Sequence, residues 1–155
     1  MRIDTFDISA SGMRAQRLRM ETITNNLANL DTTSTRNTIT ETDAEGNTWL
    51  RHVPYRRQVP IFTVGMEGQA DERLGVSVPI ITEDTTTEFR RELRPDHPHA
   101  VKNPLAEDYG YVYFPNVNPL LETVDMIAAS RAYEANITAI ETLKSMGEAA
   151  LRILA

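Results

Sequence analysis

The chain has no cysteine and few aromatic residues, which make up 6% of its 155 positions. Without cysteine it forms no disulfide bond and offers no thiol as a nucleophile or metal ligand, so redox compartment stays open. No apolar run approaches the roughly 20 residues that a membrane-spanning helix needs. These absences exclude a disulfide-stabilised scaffold, a cysteine enzyme and a helical membrane protein.

Long basic clusters are also missing. The 16 basic and 22 acidic residues give a net charge of −6. Because binding to phosphate backbones needs clustered positive charge, nucleic acid is not an expected partner. The first seven residues contain Asp4 and Asp7 and lack the apolar core of a secretory signal. We therefore expect no cleaved signal peptide.

Recognisable catalytic motifs are absent as well. The sequence contains no G-x-S-x-G, no phosphate-binding P-loop and no H-E-x-x-H, and its carboxylates form no evident acid–base pair. Asp96, His97 and His99 could suggest a metal site, but Pro95 and Pro98 favour a polar turn. We expect no catalytic residue, no cofactor and no metal ligand.

The N-terminal part has the apolar periodicity of a helix that buries one narrow stripe. Arg17 and Thr24 interrupt the stripe, and Gly12 lies within it. The stripe consists of Ile3, Phe6, Ala10, Met13, Met20 and Leu27. Alone this helix should be marginally stable, because helices in proteins gain most of their stability from packing.

A second helix is predicted from residue 119 to the C-terminus. Asn118 is a suitable N-cap, Pro119 suits the first helical position, and only Gly147 would weaken the helix. Its apolar stripe comprises Met126, Tyr133, Ile137, Ile140, Leu151 and Leu154. The simplest partner for each terminal helix is the other one, in a coiled coil, although neighbouring subunits could also cover the stripes.

Between residues 37 and 115 the sequence changes to short runs rich in β-branched residues, broken by glycine and proline. The runs are NTIT, QVPIFTV, GVSVPIITE, TTTEF and YGYVYF. Residues 45–47 suit a hairpin turn, and Gly65 and Gly75 bound a longer connection. Pro60 and Pro79 place their strands at sheet edges or end them early.

The predicted fold class is therefore α+β, with long N- and C-terminal helices forming a coiled-coil layer and a small inserted β domain. The corresponding segments are 1–36, 37–115 and 116–155. Within the β domain, the aromatic residues Tyr109, Tyr111, Tyr113 and Phe114 favour a last strand with one face on the core. The pairs Arg56-Arg57 and Arg90-Arg91 favour exposed strand positions over an anion site.

The stretch ETITNNLANLDTTST carries three asparagines inside a helical pattern. Asn25, Asn26 and Asn29 each cost a helix about 0.5 kcal/mol relative to alanine. One explanation is that the helix ends near Asn29 or Asp31. The other is that the amides bond neighbouring chains and fix their register.

Two long motifs resemble those of the flagellar rod, hook and hook-associated axial proteins. ISASGMRAQRLRMETITNNLAN is similar to their N-terminal motif, and GYVYFPNVNPLLETVDMIAASRAYEANITAIETLKSM is similar to their C-terminal segment. Together they cover about half of the chain. PYRRQV and the chain length suit the proximal-rod members, whereas residues 32–49 and the HAVKNPLAED stretch depart from the family pattern.

The resemblance implies a non-enzymatic subunit of the proximal rod of the bacterial flagellum, assembled through its terminal helices into a helical tubular drive shaft. It further implies a periplasmic location in the basal body, reached through the flagellar type III export apparatus without a cleaved signal. The implied partners are other copies of the chain, the rod proteins FlgB, FlgF, FlgG and FliE, and the export apparatus, with no small-molecule substrate.

Subunit-interface residues follow from the motifs and the two apolar stripes. They are Met13, Leu18, Met20, Ile23, Asn25, Asn26, Leu27, Asn29, Asn116, Asn118, Met126, Ser130, Arg131, Tyr133, Glu134, Asn136, Ile137 and Ile140. We expect the terminal helices to fray in the free subunit and to order on packing. The competing hypotheses are an enzyme acting on cell-wall polymer and a self-contained coiled-coil adaptor.

Overall fold

The computed structural model describes residues 4–35, 38–42, 48–65, 75–104 and 106–154. A helix stands at each end of the chain, α1 (Asp4–Ala28) and α2 (Pro119–Leu154). The six strands between them are β1 (Thr38–Thr42), β2 (Thr48–His52), β3 (Gln58–Val64), β4 (Val76–Glu83), β5 (Arg90–Leu93) and β6 (Tyr111–Phe114). This confirms the predicted α+β class. Among the described residues, no helix is long and apolar enough to cross a membrane.

Helix α1 ends where the sequence predicted it. The Asn29 N–H still donates to the Asn25 carbonyl at 3.1 Å, and the Asn29 side-chain amide donates to the same carbonyl at 2.9 Å. The Thr32 N–H then donates to the Asn29 carbonyl, which turns the chain away from the helix axis. Asparagine at this position therefore helps to terminate the helix.

Helix α2 begins directly after Asn118 and runs for 36 residues through Gly147. Its inner side is marked by Glu122 and Ala129, which are both fully buried. The predicted stripe from Met126 to Ile140 is half-buried on the same side. The start and the length of the second helix are thus confirmed, but Leu151, which was predicted in the same stripe, is 69% exposed.

The strands pair as three two-stranded ladders within the described ranges. Strands β1 and β2 are antiparallel, with the register Thr38↔His52 to Thr42↔Thr48. Strands β5 and β6 are also antiparallel, from Arg90↔Phe114 to Leu93↔Tyr111. The predicted turn at residues 45–47 lies outside the described residues.

Strands β3 and β4 form the remaining ladder. Gly65 N–H donates to the Gly75 carbonyl at 3.1 Å, and Thr82 Oγ1 donates to the Val59 carbonyl at 3.5 Å, so the two strands run in opposite directions. Gly65 and Gly75 have φ angles of 116° and 93°, which favour glycine. Both strands of a two-stranded ladder are edge strands. Strands β3 and β4 therefore continue through Pro60 and Pro79, which the sequence analysis assigned to edge strands or early strand ends.

The predicted strand TTTEF is wrong. Thr86 and Thr87 form a bend, because the Asp84 carboxylate accepts hydrogen bonds from the backbone N–H and the hydroxyl of both threonines. These bonds lower the pKa of Asp84 to about 2. The strand starts later, at Arg90.

The chain contains two compact units. The first unit comprises Met1–Thr24, Val59–Thr82 and Leu120–Ala155, and the second comprises Asn25–Gln58 and Glu83–Pro119. Ala100, Val112 and Phe114 form a buried apolar cluster in the second unit. The predicted division was into three consecutive segments, 1–36, 37–115 and 116–155. The two compact units do not test whether these segments fold separately, so the division stays a prediction.

Candidate assembly interface

Helices α1 and α2 contact each other within the first unit. Arg19 Nη2 lies 2.8 Å from Asp125 Oδ1, and a Cβ added to Gly12 would lie 3.0 Å from Asn136 Nδ2. Residue numbers rise along one helix as they fall along the other, so the two helices are antiparallel. The ion pair is partly exposed and worth about 0–1 kcal/mol. Close packing at Gly12 therefore contributes more to the pairing of the helices than the ion pair does. Each terminal helix covers part of the other's stripe.

Strand β4 lies beside α1 in the same unit. The Val76 N–H donates to Ser11 Oγ at 3.0 Å, and Ser11 Oγ donates to the Ile8 carbonyl at 2.6 Å. A cavity of about 190 Å³ between the two elements is lined by Ser11, Arg14, Ala15, Leu18, Val76, Ser77 and Val78. This lining contains one charged side chain and no carboxylate or histidine, so the cavity holds no acid–base pair.

An exposed apolar stripe runs along the first turns of α2. Leu120, Val124 and Ile127 are 72%, 57% and 50% exposed, and the spacing of four and three residues puts them on one helix face. Leu121, also exposed, flanks them. We call these four residues the α2 stripe. Contiguous exposed apolar side chains of this kind mark an interaction site.

The sequence interpretation missed the α2 stripe. It followed the heptad register of Met126 and Tyr133, which the structure places on the half-buried side of the helix. The spacing of Leu120, Val124 and Ile127 was present in the sequence and could have revealed a second apolar face. Gln16 was missed too: its Oε1 is buried and accepts no hydrogen bond among the described residues.

The predicted interface residues differ widely in exposure. Ile23, Asn26 and Asn116 are buried, and Asn25, Asn118, Arg131 and Glu134 are exposed. The half-buried ones are Met13, Leu18, Met20, Leu27, Asn29, Met126, Ser130, Tyr133, Asn136, Ile137 and Ile140. The exposed group lies at the surface of the subunit, whereas the buried group packs within its own chain.

Asn26 has a defined role within the second unit. Its side chain is 1% exposed, and its Nδ2 donates to the Gln58 carbonyl at 2.9 Å while its Oδ1 accepts from the Gln58 N–H at 2.9 Å. Tyr55 Oη also donates to Oδ1, at 2.9 Å. The amide thus binds both backbone groups of Gln58 at the start of β3, as a neighbouring strand would.

Asn116 serves the adjoining residue in the same way. Its Oδ1 accepts from the Arg57 N–H at 2.8 Å, and its Nδ2 donates to the Asp84 and Thr87 carbonyls at 3.0 and 3.3 Å. Arg57 and Gln58 are therefore each held by a buried asparagine. These bonds give a physical reason for two of the asparagines within one chain, and an inter-subunit role for the predicted asparagines stays a prediction.

The RPDHPHA stretch forms the predicted polar turn, with the His97 N–H bonded to the Arg94 carbonyl and the Ala100 N–H to the His97 carbonyl. The His99 ring lies 4.4 Å from the His52 ring and 5.3 Å from the His97 ring, measured between centroids. Thr33 Oγ1 and His99 Nδ1 are hydrogen-bonded at 2.8 Å. Burial, and then the charges of His52 and His97, lower the pKa of His99.

Within the described ranges, no group of three or more histidine, aspartate or glutamate side chains is arranged to hold a metal ion. The His99 ring is tilted against the His52 ring and meets the His97 ring edge-on. Thr33 Oγ1 is bonded to His99 Nδ1, Ser34 Oγ is bonded to His52 Nδ1, and the His99 backbone N–H donates to His97 Nδ1. Burial beside two other rings favours the neutral form of His99.

Strand β6 packs one face on the core, as predicted. Val112 and Phe114 are buried, while Tyr111 and Tyr113 on the other face are half-buried. Burial and the 2.6 Å hydrogen bond that Tyr113 Oη donates to Asp108 raise the pKa of Tyr113. Guanidinium groups cover the rings: Arg51 over Tyr113 at 4.3 Å, Arg56 over Phe89 at 4.4 Å and Arg91 over Tyr111 at 5.9 Å.

The arginine pairs agree only in part with the prediction. Arg90 and Arg91 are exposed positions of β5, as expected. Arg56 and Arg57 are half-buried and lie in the connection before β3, so their strand assignment is wrong. The buried Asn116 bond to the Arg57 N–H explains why a ladder does not begin there.

Two protein-family models match the ends of the chain. The model described as flagella basal body rod protein matches residues 6–34, and the model described as flagellar basal body rod FlgEFG protein C-terminal matches residues 109–153. These matches contain α1 and α2 almost entirely. The two terminal motifs of the sequence are therefore recognised independently of its middle.

Curated relatives extend the match over nearly the whole chain. The flagellar basal-body rod protein FlgC of Bacillus subtilis is 38% identical, over 96% of this chain and 95% of the relative. FlgC of Aquifex aeolicus is 36% identical, over 94% and 91%. FlgC of Salmonella typhimurium is 35% identical, over 93% and 91%. The chain belongs to the FlgC family of flagellar basal-body rod proteins, and it is a structural subunit of the basal-body rod that serves motility.

Proposed function

We propose that this rod subunit builds the proximal rod by packing its terminal helices against those of neighbouring subunits in a coiled-coil layer. The observation that carries the proposal is the α2 stripe, where Leu120, Leu121, Val124 and Ile127 remain exposed although α1 already covers the inner side of α2. Burying one such side chain contributes about 1.5–3 kcal/mol, so the stripe alone supplies a substantial driving force.

Contacts between unlike surfaces of identical chains do not close on themselves, so repeated packing of this kind yields a helical tube. In this arrangement segments 1–36 and 116–155 form the inner layer, and the β-rich segment 37–115 lies outside it. The exposed predicted residues Asn25, Asn118, Arg131 and Glu134 contact neighbouring subunits at the edges of the apolar surfaces. The half-buried stripe residues order as those contacts form.

The partners are further copies of the chain and the rod proteins FlgB, FlgF, FlgG and FliE, in the periplasmic part of the basal body. The chain reaches this place through the flagellar type III export apparatus, unfolded and without a cleaved signal. Membership of the rod family supports these assignments. No catalytic role is proposed.

Ile127→Asp tests the role of the α2 stripe, and Ile80→Asp is its matched control. Ile80 is 56% exposed in β4, close to the 50% of Ile127 in α2. A carboxylate buried without a partner costs several kcal/mol, so Ile127→Asp should abolish incorporation. The measurement is the amount of this chain in isolated basal bodies, together with swimming, in cells carrying the variant as their only copy.

We expect the Ile127→Asp chain to keep wild-type helicity by circular dichroism but to be missing from basal bodies, with no swimming. The Ile80→Asp chain should assemble normally. Normal rods containing Ile127→Asp would refute assembly through this helix face. Equal loss of incorporation in both variants would also contradict the proposal, because it would show that the effect is not specific to the α2 stripe.

A further inference from the structure

A polar groove opens beside the aromatic face of β6, within the second unit. It has a volume of about 520 Å³ and is lined by Arg56, Thr85, Thr87, Glu88, Phe89, Arg91 and Tyr113. A groove of this size admits one or two side chains of a peptide and also falls within the range of small-molecule pockets, so its volume does not identify the occupant. The charges of the lining residues do.

Two arginines dominate the charge of the groove. Arg56 stacks over Phe89, with Cζ 4.4 Å from the ring centroid, and its Nη1 donates to the Asp84 carbonyl at 2.9 Å. Neither Arg56 nor Arg91 forms an ion pair with a carboxylate of the described residues. A stacked guanidinium keeps several N–H donors at its edge, where they can bind a carboxylate side by side.

The nearby carboxylates Asp84 and Glu88 form no ion pair with Arg56 or Arg91 among the described residues. Both Asp84 oxygens already accept bonds from Thr86 and Thr87. Among the lining residues only Glu88 carries negative charge. Arginine and tyrosine are enriched among the hot-spot residues of protein interfaces. Because two arginines face one glutamate in this lining, the groove suits an acidic segment better than an apolar one.

The chain itself carries such a segment. Glu41, Asp43 and Glu45 lie within five residues, and no lysine or arginine occurs from residue 38 to residue 50. The overall charge of −6 means that two copies repel unless acidic and basic surfaces are matched locally. Pairing this segment with Arg56 and Arg91 would supply that match.

Spacing along the β1–β2 ladder favours a second copy as the source of the segment. Arg51, which stacks over Tyr113 of the groove, pairs with Ile39. The last pair of the ladder, Thr42↔Thr48, lies three residues further along, about 10 Å from Arg51. The described end of the ladder, where the acidic segment begins, therefore lies away from the groove residue that Arg51 covers.

We infer that the groove binds the acidic segment 41–45 of a second copy, whose carboxylates pair with Arg56 and Arg91. The contact joins unlike surfaces, so it repeats from copy to copy in a helical array. It sets the register of the outer, β-rich part of the subunits. This inference rests on the proposed function, since only assembled rods bring the copies together.

Disulfide trapping tests the contact directly, because the chain has no cysteine of its own. Thr42→Cys chains and Thr85→Cys chains are expressed together, and isolated basal bodies are oxidised. Thr42 is the last described residue before the acidic connection, and Thr85 lines the groove. The control pairs Thr42→Cys with Lys102→Cys, which is exposed and outside the groove lining.

We expect a covalent dimer from the first pair and background levels from the control pair and from each variant alone. Equal yields from the Thr85→Cys and Lys102→Cys pairs would overturn the inference. Immunoblots of the same basal bodies distinguish failure of the groove contact from failure of the proposed function. Rods that contain the chain without the specific dimer refute the contact alone, whereas rods that lack the unsubstituted chain refute the proposed function.

Charge reversal gives an independent test. The variant R56E/R91E should lower incorporation into basal bodies by about tenfold or more, equivalent to 1.4 kcal/mol or more. Adding Glu41→Lys, Asp43→Lys and Glu45→Lys to the same chain should restore it, because the charges match again. The variant R56Q/R91Q removes the two positive charges without adding negative ones, and it serves as a control in case the charge-reversed variant misfolds. Loss without recovery in the combined variant, with both chains folded by circular dichroism, would contradict the contact.

Discussion

The two compact units differ in how complete they are. The second unit buries polar side chains with their partners: Asn26 and Asn116 each make at least three side-chain hydrogen bonds, and three of its described residues form an apolar cluster. The first unit leaves the α2 stripe exposed. Specific hydrogen bonds complete a structure within one chain, whereas an uncovered apolar face needs another chain. The difference matches a subunit whose second unit is held by bonds within its own chain and whose first unit presents an apolar face for assembly to cover.

Asn26→Ala should be the most damaging change in the second unit. It removes the side chain that bonds the Gln58 N–H, the Gln58 carbonyl and the Tyr55 hydroxyl, and we expect a loss of about 3 kcal/mol, mainly from the two backbone groups of Gln58. Asn25 is the matched control, since it is exposed and among the described residues its side chain bonds only other side chains, Gln58 at 3.3 Å and Asn29 at 3.1 Å. Asn25→Ala should therefore cost only about 0.5 kcal/mol.

Amide hydrogen exchange in peptides covering residues 53–60 measures both variants. Equal exchange in the two variants would show that the buried amide does not hold the start of β3. If Asn26→Ala leaves exchange unchanged but blocks assembly, the asparagine acts between chains, as the sequence first suggested.

Asn116→Ala should cost about 2 kcal/mol, because it frees the Arg57 N–H and two carbonyls that water reaches only in part. The comparison is Asn118→Ala, two residues later and exposed, where loss of a helix-capping position costs about 1 kcal/mol. Urea unfolding followed by far-ultraviolet circular dichroism measures the difference. A larger effect at Asn118 would mean that the helix start, and not the second unit, limits stability.

Two glycines in the helices should respond in opposite ways. Gly147 has no atom within 4 Å of an added Cβ, so Gly147→Ala should stabilise α2 by about 0.5–1 kcal/mol. At Gly12 the Cβ would meet Asn136 at 3.0 Å, and Asn136 is held by a bond to the Ala132 carbonyl. Gly12→Ala should therefore gain nothing or destabilise. A thermal midpoint raised equally in both variants would show that α1 and α2 are not in close contact in solution.

Mild acid should have the smallest effect, confined to the second unit. The pKa of His99 is lowered from 6.5 in the folded chain, so the unfolded chain takes up protons first. The stability that His99 contributes is complete above pH 6.5 and is lost as the pH falls below it. Urea midpoints at pH 7.5 and pH 5.5 should differ for the native chain and differ less for His99→Asn. A pH response unchanged in His99→Asn would assign it to other groups.

The sequence predicted the helices because their signals are local. The apolar periodicity, the Asn118-Pro119 start and the asparagines at the end of α1 all act within a few residues of the structure they specify. TTTEF failed for a local reason as well: a neighbouring aspartate outcompeted the strand by bonding the backbone of Thr86 and Thr87. β-propensity is the weaker signal and loses such competitions.

The purpose of the asparagines could not be predicted, because their partners lie far along the chain. Asn26 bonds Gln58 and Asn116 bonds Arg57, pairings that only the folded structure brings together. The apolar surface that we propose for assembly was predicted only in part, for a different reason. Heptad spacing gives one face of a helix, whereas α2 has an inner face at Ala129 and an outer one at Val124.

Amide hydrogen exchange on the purified, unassembled chain is the most direct measurement of the difference between the two units. Peptides covering residues 120–154 should exchange quickly, since helices with an uncovered apolar face are only marginally stable in the free subunit. Peptides covering residues 53–58 and 111–117, held by Asn26 and Asn116, should exchange slowly. Slow exchange across all of these peptides would contradict this view, because it would show that α2 is already complete without neighbouring subunits.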